Sequence, residues 1–132
     1  MTRLYKFIES CLPAGVFNSA TWETMSEDIP GDVGIFLIES KNDIECIDGE
    51  TLEESIKAQI MVNAFEGEDG IDQVSKYLRD FLDNIENSII NKDGLEIIRV
   101  RHLGPKASKA YVNGLGISVW RCEINIDYLL HN

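Results

Sequence analysis

From Trp120 onward the chain alternates: Trp120, Cys122, Ile124, Ile126 and Tyr128 share one parity, while Arg121, Glu123, Asn125 and Asp127 share the other. A period of two over this length predicts a strand with one core face and one charged face. "SIKAQIMVNAF" repeats the pattern, with Ile56, Ala58, Ile60, Val62 and Ala64 on one side. "VGIFLIES" is a nearly continuous apolar run that predicts a buried strand, and "LEIIRVRHL" predicts another. Two segments follow the helical period instead. Leu4, Phe7, Ile8, Cys11 and Leu12 form a short stripe ended by Pro13-Ala14-Gly15. Ile71, Val74, Tyr77, Leu78, Phe81, Leu82, Ile85 and Ile89 form a longer one, with Asp69 or Asp72 as the expected N-cap.

Between these elements the sequence predicts loops: an unpatterned stretch "VFNSATWETMSEDIPGD", an acidic loop over 41–55, and "GPKASKAYVNGLG" before the last strand. The order is helix, strand, strand, helix, strand, strand. The expected fold is therefore α+β: two layers, a mostly antiparallel four-stranded sheet with the helices packed on one face. The longer helix is expected to bury most, with the first one peripheral. At 132 residues the chain is expected to form one domain, 1–132, large enough for a core without staples. It holds no apolar run of membrane-spanning length, and its first residues are too polar for a signal-peptide core, so the expectation is a soluble, intracellular protein.

Charge changes the picture more than composition does. The net charge is −11, which disfavours a nucleic-acid backbone as main partner. Residues 23–72 hold fifteen Asp/Glu and two Lys, whereas residues 73–132 hold seven Asp/Glu and eight Lys/Arg. If those segments lie on different sides of the fold, copies of the chain can stack head to tail, acidic on basic. The basic cluster Arg99, Arg101, His102, Lys106 and Lys109 lacks the interleaved aromatics of a single-strand platform, Tyr111 apart.

Candidate chemistry is sparse. Cys11, Cys46 and Cys122 are odd in number with no CxxC pair, which predicts neither a disulfide framework nor a zinc site; Cys11 and Cys122 read as small buried side chains. "DIECIDGETLEE" fails as a calcium loop, because Gly49 at the sixth position puts Ile44 where an acid is required. Gly114-Leu115-Gly116 is a turn, and no GxSxG, HExxH or GxxxxGK[ST] occurs. No catalytic residue, cofactor or metal is expected, and His102 reads as structural.

The helix ending in "LPAG", the stretch closing on "PGDVGIFLIES", the strand "SIKAQIMVNAF", the helix "QVSKYLRDFLDNI" and the strand "GISVWRCEINIDYLL" together resemble the tail terminator or minor capsid proteins of long-tailed phages and prophages of Gram-positive bacteria. The resemblance runs over nearly the whole chain and rests on the order and texture of its elements. It implies a structural virion protein without enzyme activity. Such a protein closes as a homo-oligomeric ring, six-membered in that family, on the end of the tail tube, stops tube polymerisation and offers a docking surface to the head connector. Expected partners are the chain itself, the tail tube protein and the connector, with no sequence-specific nucleic acid and no membrane. The expected location is the head–tail junction of the virion, and the host cytoplasm during assembly. The residues assigned to the subunit boundary are Arg99, Arg101, Lys106, Arg121 and Glu123; those assigned to the tube or connector are Glu50, Glu53 and Glu54. A head-closure or neck protein, and a small ligand-binding α+β domain with a concave apolar pocket, are the alternatives.

Overall fold

The structure, a computed structural model, describes residues 2–45, 51–88, 91–92 and 94–131. In chain order the elements are α1 (Thr2–Cys11), β1 (Thr21–Trp22), β2 (Val33–Glu45), β3 (Thr51–Asn63), α2 (Glu68–Glu86), β4 (Asn91–Lys92), β5 (Leu95–Val112) and β6 (Ser118–His131). They form an α+β fold whose single sheet has the strand order β1-β2-β3-β6-β5-β4.

At its centre β3 and β6 pair antiparallel from Thr51↔His131 to Asn63↔Val119 without a register shift. The two period-two patterns of the sequence meet here. Ile56, Ala58, Ile60 and Val62 of β3 and Cys122, Ile124, Ile126 and Tyr128 of β6 are all buried, and they share one cluster with both helices. From α2 the buried side chains are Val74, Tyr77, Leu78, Phe81, Leu82 and Ile85. Each fully buried large aliphatic or aromatic side chain contributes about 1.5–3 kcal/mol relative to exposure.

Several expectations are corrected. The sheet is not four-stranded. Short β1 adds a parallel edge, Thr21↔Gly34 and Trp22↔Ile35, and short β4 an antiparallel one, Asn91↔Glu96 and Lys92↔Leu95. Two-residue strands carry no periodicity, which is why the pattern missed them. The loop expected over 41–55 is largely strand: β2 and β3 pair as far as Glu45↔Leu52, because polar residues can sustain a ladder whose backbone partners are in place. Residues 46–50, with Cys46 and Glu50, lie outside the described residues. Helix α1 is not peripheral, since Leu4, Phe7, Ile8 and Cys11 are all core residues. Trp22 packs edge-on against Tyr5 of that helix, with ring centroids 5.3 Å apart.

The N-cap of α2 is Gly67, not Asp69 or Asp72. Gly67 has φ +86°, a left-handed turn that favours glycine, and the chain then doubles back so closely that a Cβ on Gly70 would lie 2.1 Å from the carbonyl oxygen of Phe65. The acidic residues fall in the first helical turn, where they still complement the helix dipole. No described helix is long and apolar enough to cross a membrane.

One end of the opposite sheet face is also covered. The segment before β2 folds over it and is held by two buried asparagines. Asn63 Nδ2 donates to the carbonyls of Glu27 and Ile29 at 2.8 and 3.0 Å. Asn113 Nδ2 donates to Glu27 O at 2.9 Å and to Asn63 Oδ1 at 3.3 Å, while its own Oδ1 accepts from the N–H groups of Leu115 and Ile117. Tyr111 donates its hydroxyl to the Glu27 carboxylate. Val119, in register between Asn63 and Tyr111, is fully buried there. Asn113 thus ties the β5–β6 turn to the 27–29 segment. Asn113→Ala strips two N–H groups of their acceptor and is expected to cost roughly 2–4 kcal/mol, read as a lower urea midpoint with unchanged slope.

All four tyrosines hold their protons tightly. Burial, then the Glu9 carboxylate, raises Tyr5. Burial pushes Tyr77 up to about 12. The Glu27 hydrogen bond, then burial, pushes Tyr111 up to about 12. Burial, then the Glu54 carboxylate to which it donates, raises Tyr128. Each native phenol lies above its unfolded value of 10.0, so the stability it contributes is complete below pH 10 and is lost as pH rises through the native value. The expected result is that Tyr77, Tyr111 and Tyr128 show no tyrosinate absorbance near pH 10 and that it then appears together with loss of the circular dichroism of the fold. An independent four-phenol titration at pH 10 with the fold intact would contradict it.

Candidate functional site

The sheet face away from the helices carries a concentration of charged side chains set by strand register. Along β5, Leu95 and Ile97 face the core, and unbroken alternation would send Arg99 and Arg101 in after them. The ladder instead steps from Ile97↔Tyr128 to Arg99↔Asp127, leaving Ile98 as an extra residue. This bulge reverses the alternation, so that Arg99 and Arg101 face outward opposite Asp127 and Asn125. Burying two guanidinium groups without partners would cost far more than one missing ladder bond. Strand β2 does the same: its ladder steps from Leu37↔Ala58 to Glu39↔Lys57, with Ile38 as the extra residue. Both bulged isoleucines are exposed, at 45% and 53%.

The bulges bring four strands into one polar row, Glu39–Lys57–Asn125–Arg101, with Ser55–Asp127–Arg99 as the row beside it. Two strand spacings set the backbones of Lys57 and Arg101 about 10 Å apart on either side of Asn125. The rows line an open cleft of about 420 Å³ together with Glu53.

Asp127 is its electrostatic anchor. Its Oδ2 accepts from Arg99 Nη2 at 3.2 Å and Nε at 3.3 Å, and its Oδ1 accepts from Asn125 Nδ2 at 3.1 Å. Asn125 Nδ2 also reaches Ser55 Oγ at 3.3 Å. Burial alone would raise the Asp127 carboxyl, but hydrogen bonds from Ser55 and Arg99, the Arg99 charge and the Asn125 amide outweigh it and hold the carboxyl below its usual range. Lys57 and Arg101, by contrast, form no ion pair among the described residues. The cleft therefore holds one internally neutralised pair, two cations without an ion pair among the described residues, and the carboxylates of Glu39 and Glu53. Its lining is polar, without the apolar walls of a small-molecule pocket, and no group of three metal-ligating side chains occurs among the described residues.

Of the residues singled out from sequence, Arg99, Arg101 and Glu53 share this cleft. Arg121 and Glu123 lie further along the same face of β6, Arg121 exposed and Glu123 accepting from Gln59 Nε2 at 3.5 Å. Lys106 stands apart. It lies where β5 loses register between Leu103 and Ser108, and its Nζ is 3.7 Å from Asp83 of α2. That irregular stretch continues β5 to Val112, where a loop was expected; the interruption is several unpaired residues long and reads in the sequence as a loop. Glu54 has the opposite parity from Glu53 and accepts from Tyr128 at the core margin. Glu50 lies outside the described residues. His102 is structural in its surroundings, with Nδ1 2.5 Å from Glu86 of α2.

Lys57, Glu39, Ser55, Asn125 and Asp127 complete the cleft and were not singled out from sequence. Alternation had placed Asn125 and Asp127 on the charged face, but only register shows which strand stands opposite. Sequence halves also do not sort by side: acidic Glu39 and Glu53 sit beside Arg99 and Arg101 in one cleft.

Arg99→Ala is expected to return the Asp127 carboxyl toward its ordinary value, read by carboxyl chemical shifts across pH. The sign is that of a depressed acid: wild type keeps this stabilisation above the unfolded carboxyl value and loses it as pH falls through the native one. The variant should therefore lose stability near neutrality and less, or none, in acid, while Arg101→Ala leaves both the titration and the stability nearly unchanged.

No protein-family model matches the chain, and no curated protein matches it.

Proposed function

We propose that the chain is a tail terminator of a long-tailed phage or prophage of Gram-positive bacteria, a structural virion protein that closes as a ring of identical subunits on the tail tube. The ring ends tube polymerisation and presents the surface to which the head connector docks. The observation that carries the reading is the uncovered charged face of the sheet. A two-layer α+β fold with helices on one side leaves much of the other side exposed beyond the 24–32 segment, and there Lys57 and Arg101, with no ion pair among the described residues, lie in an open polar cleft suited to a protein surface. The element order and strand texture that resemble that family add to it.

The complementary surface belongs to the helix layer. Glu66, Glu68, Asp69 and Asp72, at and just before the start of α2, are exposed, and no described residue pairs with them. Lys57 and Arg101 on one layer and the acidic start of α2 on the other suit a heterologous contact, in which each subunit offers a different patch to each neighbour. Glu53 shares the cleft of Arg101, so the acidic contact from a neighbour comes from α2 in this reading. Glu53 and the adjoining acidic segment remain the proposed contact to the tube or connector.

The test combines assembly with capping. In light scattering at low salt, wild type forms a ring that dissociates as salt rises, and Arg101→Glu weakens it by about tenfold or more; Asp72→Lys in the same chain restores it. Added to polymerising tail tube protein, wild type stops elongation and is found at tube ends by electron microscopy. Tubes that grow to undiminished length with none of the protein at their ends would overturn the function, and binding to the portal ring in place of the tube would point to the head-closure role.

A further inference from the structure

We infer that Glu23 and Glu86 guard the outer sides of β2 and β5, where these run beyond the short edge strands β1 and β4, against strand addition by a second copy of this chain. The row Leu37–Ala58–Ile124–His102 crosses all four long strands. At each end of this one row, the backbone N–H that points away from the sheet is taken by a glutamate carboxylate. Leu37 N donates to Glu23 Oε1 at 2.9 Å, and His102 N donates to Glu86 Oε1 at 3.1 Å.

The two caps are built differently, which argues against accident of packing. Glu23 follows the last residue of β1 and has φ +62°, a left-handed conformation that a glutamate adopts only at a cost. Its own N–H still donates to Ile35 O at 2.8 Å, as the next residue of a parallel strand would. The left-handed turn then carries the main chain away, and the side-chain carboxylate takes the place on β2 that the next backbone carbonyl would have filled. Glu86 approaches from the last turn of α2, where its Oε1 receives both the His102 N–H and Nδ1.

Beside each cap the strand is also irregular. Strand β2 bulges at Ile38, directly after the capped residue, and again between Asn42 and Ile44, while β5 loses register three times and is regular around His102 only from Arg99 to Leu103. Exposed edge N–H groups template pairing with another chain, and bulges and charges are the means by which sheets prevent it. A carboxylate seated on the edge N–H adds a negative charge and an occupied donor at the same point. The second copy is the relevant partner because every copy carries the same two strands, so an uncapped one always has a matching strand available. The inference concerns the edges alone and does not depend on the terminator reading.

The experiment compares Glu23→Gly, Glu86→Ala and their double variant with Glu23→Gln and Glu86→Gln, by sedimentation across concentration and by amide hydrogen exchange. Glu23→Gly is the decisive variant, since it removes the cap while relieving the left-handed backbone and so does not act through misfolding. The capless variants are expected to self-associate at roughly tenfold lower concentration than wild type, about the equivalent of one hydrogen bond to a charged group. The Leu37 amide should exchange fast in the Glu23→Gly monomer and become protected again in its associated form. The glutamine variants keep an acceptor oxygen and are expected to follow wild type. A folded Glu23→Gly protein with wild-type association at every concentration would overturn the inference, as would association in which the Leu37 amide stays unprotected.

Discussion

The unbroken pairing of β3 with β6 is the constraint to which the remaining arrangements are fitted. Its register never shifts from Thr51↔His131 to Asn63↔Val119, so it presents a straight apolar file on one side and a polar file on the other. The helices can cover only the apolar side. The outer strands β2 and β5 must then match that alternation, although their own sequences place Glu39, Arg99 and Arg101 out of phase with it. One inserted residue in each, Ile38 and Ile98, restores agreement. Two exposed isoleucines and two interrupted ladders cost much less than three charges in the core, and this balance decides the geometry of the outer face.

The same central ladder explains where the charged row comes from. Lys57 and Asn125 are neighbours because β3 and β6 are in phase, and Glu39 and Arg101 join them only after the bulges. Asp127 is neutralised within the row by Arg99, Asn125 and Ser55. The last strand in sequence is thus central in space, paired on both sides, and cannot carry the sheet into a neighbouring copy. The charged face of β6 looks outward from the middle of the sheet, where it is bordered by charge from three other strands.

What was legible in the sequence was whatever repeats. Helical spacing found α2, with six of the eight apolar positions buried, Ile71 exposed and Ile89 outside the described residues, and the alternation in β3 and β6 placed Ile56, Ala58, Ile60, Val62, Cys122, Ile124, Ile126 and Tyr128 inward as observed. What was hidden depends on single residues or on distant partners. A bulge leaves no compositional mark: "LEIIRVRHL" looks the same with or without an extra residue at Ile98. The interruption 104–107 contains Gly104 and Pro105, which are loop signals, yet β5 resumes beyond it at Ser108 because β6 is there to pair with. Asn63 and Asn113 are separated by fifty positions, and nothing local shows that their amides meet over the carbonyl of Glu27. The cleft inherits this limit: Arg99 and Arg101 stand out in the chain, but Lys57 and Asn125 become their neighbours only through register.

These constraints also bear on how copies of the chain can meet. The inner sheet face is covered by α1 and α2, and one end of the outer face lies under the 24–32 segment pinned by Asn63 and Asn113. At both ends of one row the edges are occupied by glutamates. The broad surfaces that remain are the polar rows around Lys57 and Arg101 and the solvent side of α2, which begins with Glu68, Asp69 and Asp72. These surfaces belong to opposite layers: the polar rows mix Lys57, Arg99 and Arg101 with Glu39, Glu53 and Asp127, whereas the first turn of α2 is acidic. An association that joins one to the other is necessarily heterologous, and repeating it yields either a closed ring or an open filament according to the rotation per subunit. In the proposed ring, closure would be decided by the angle at which the helix layer of one copy seats on the twisted sheet of the next.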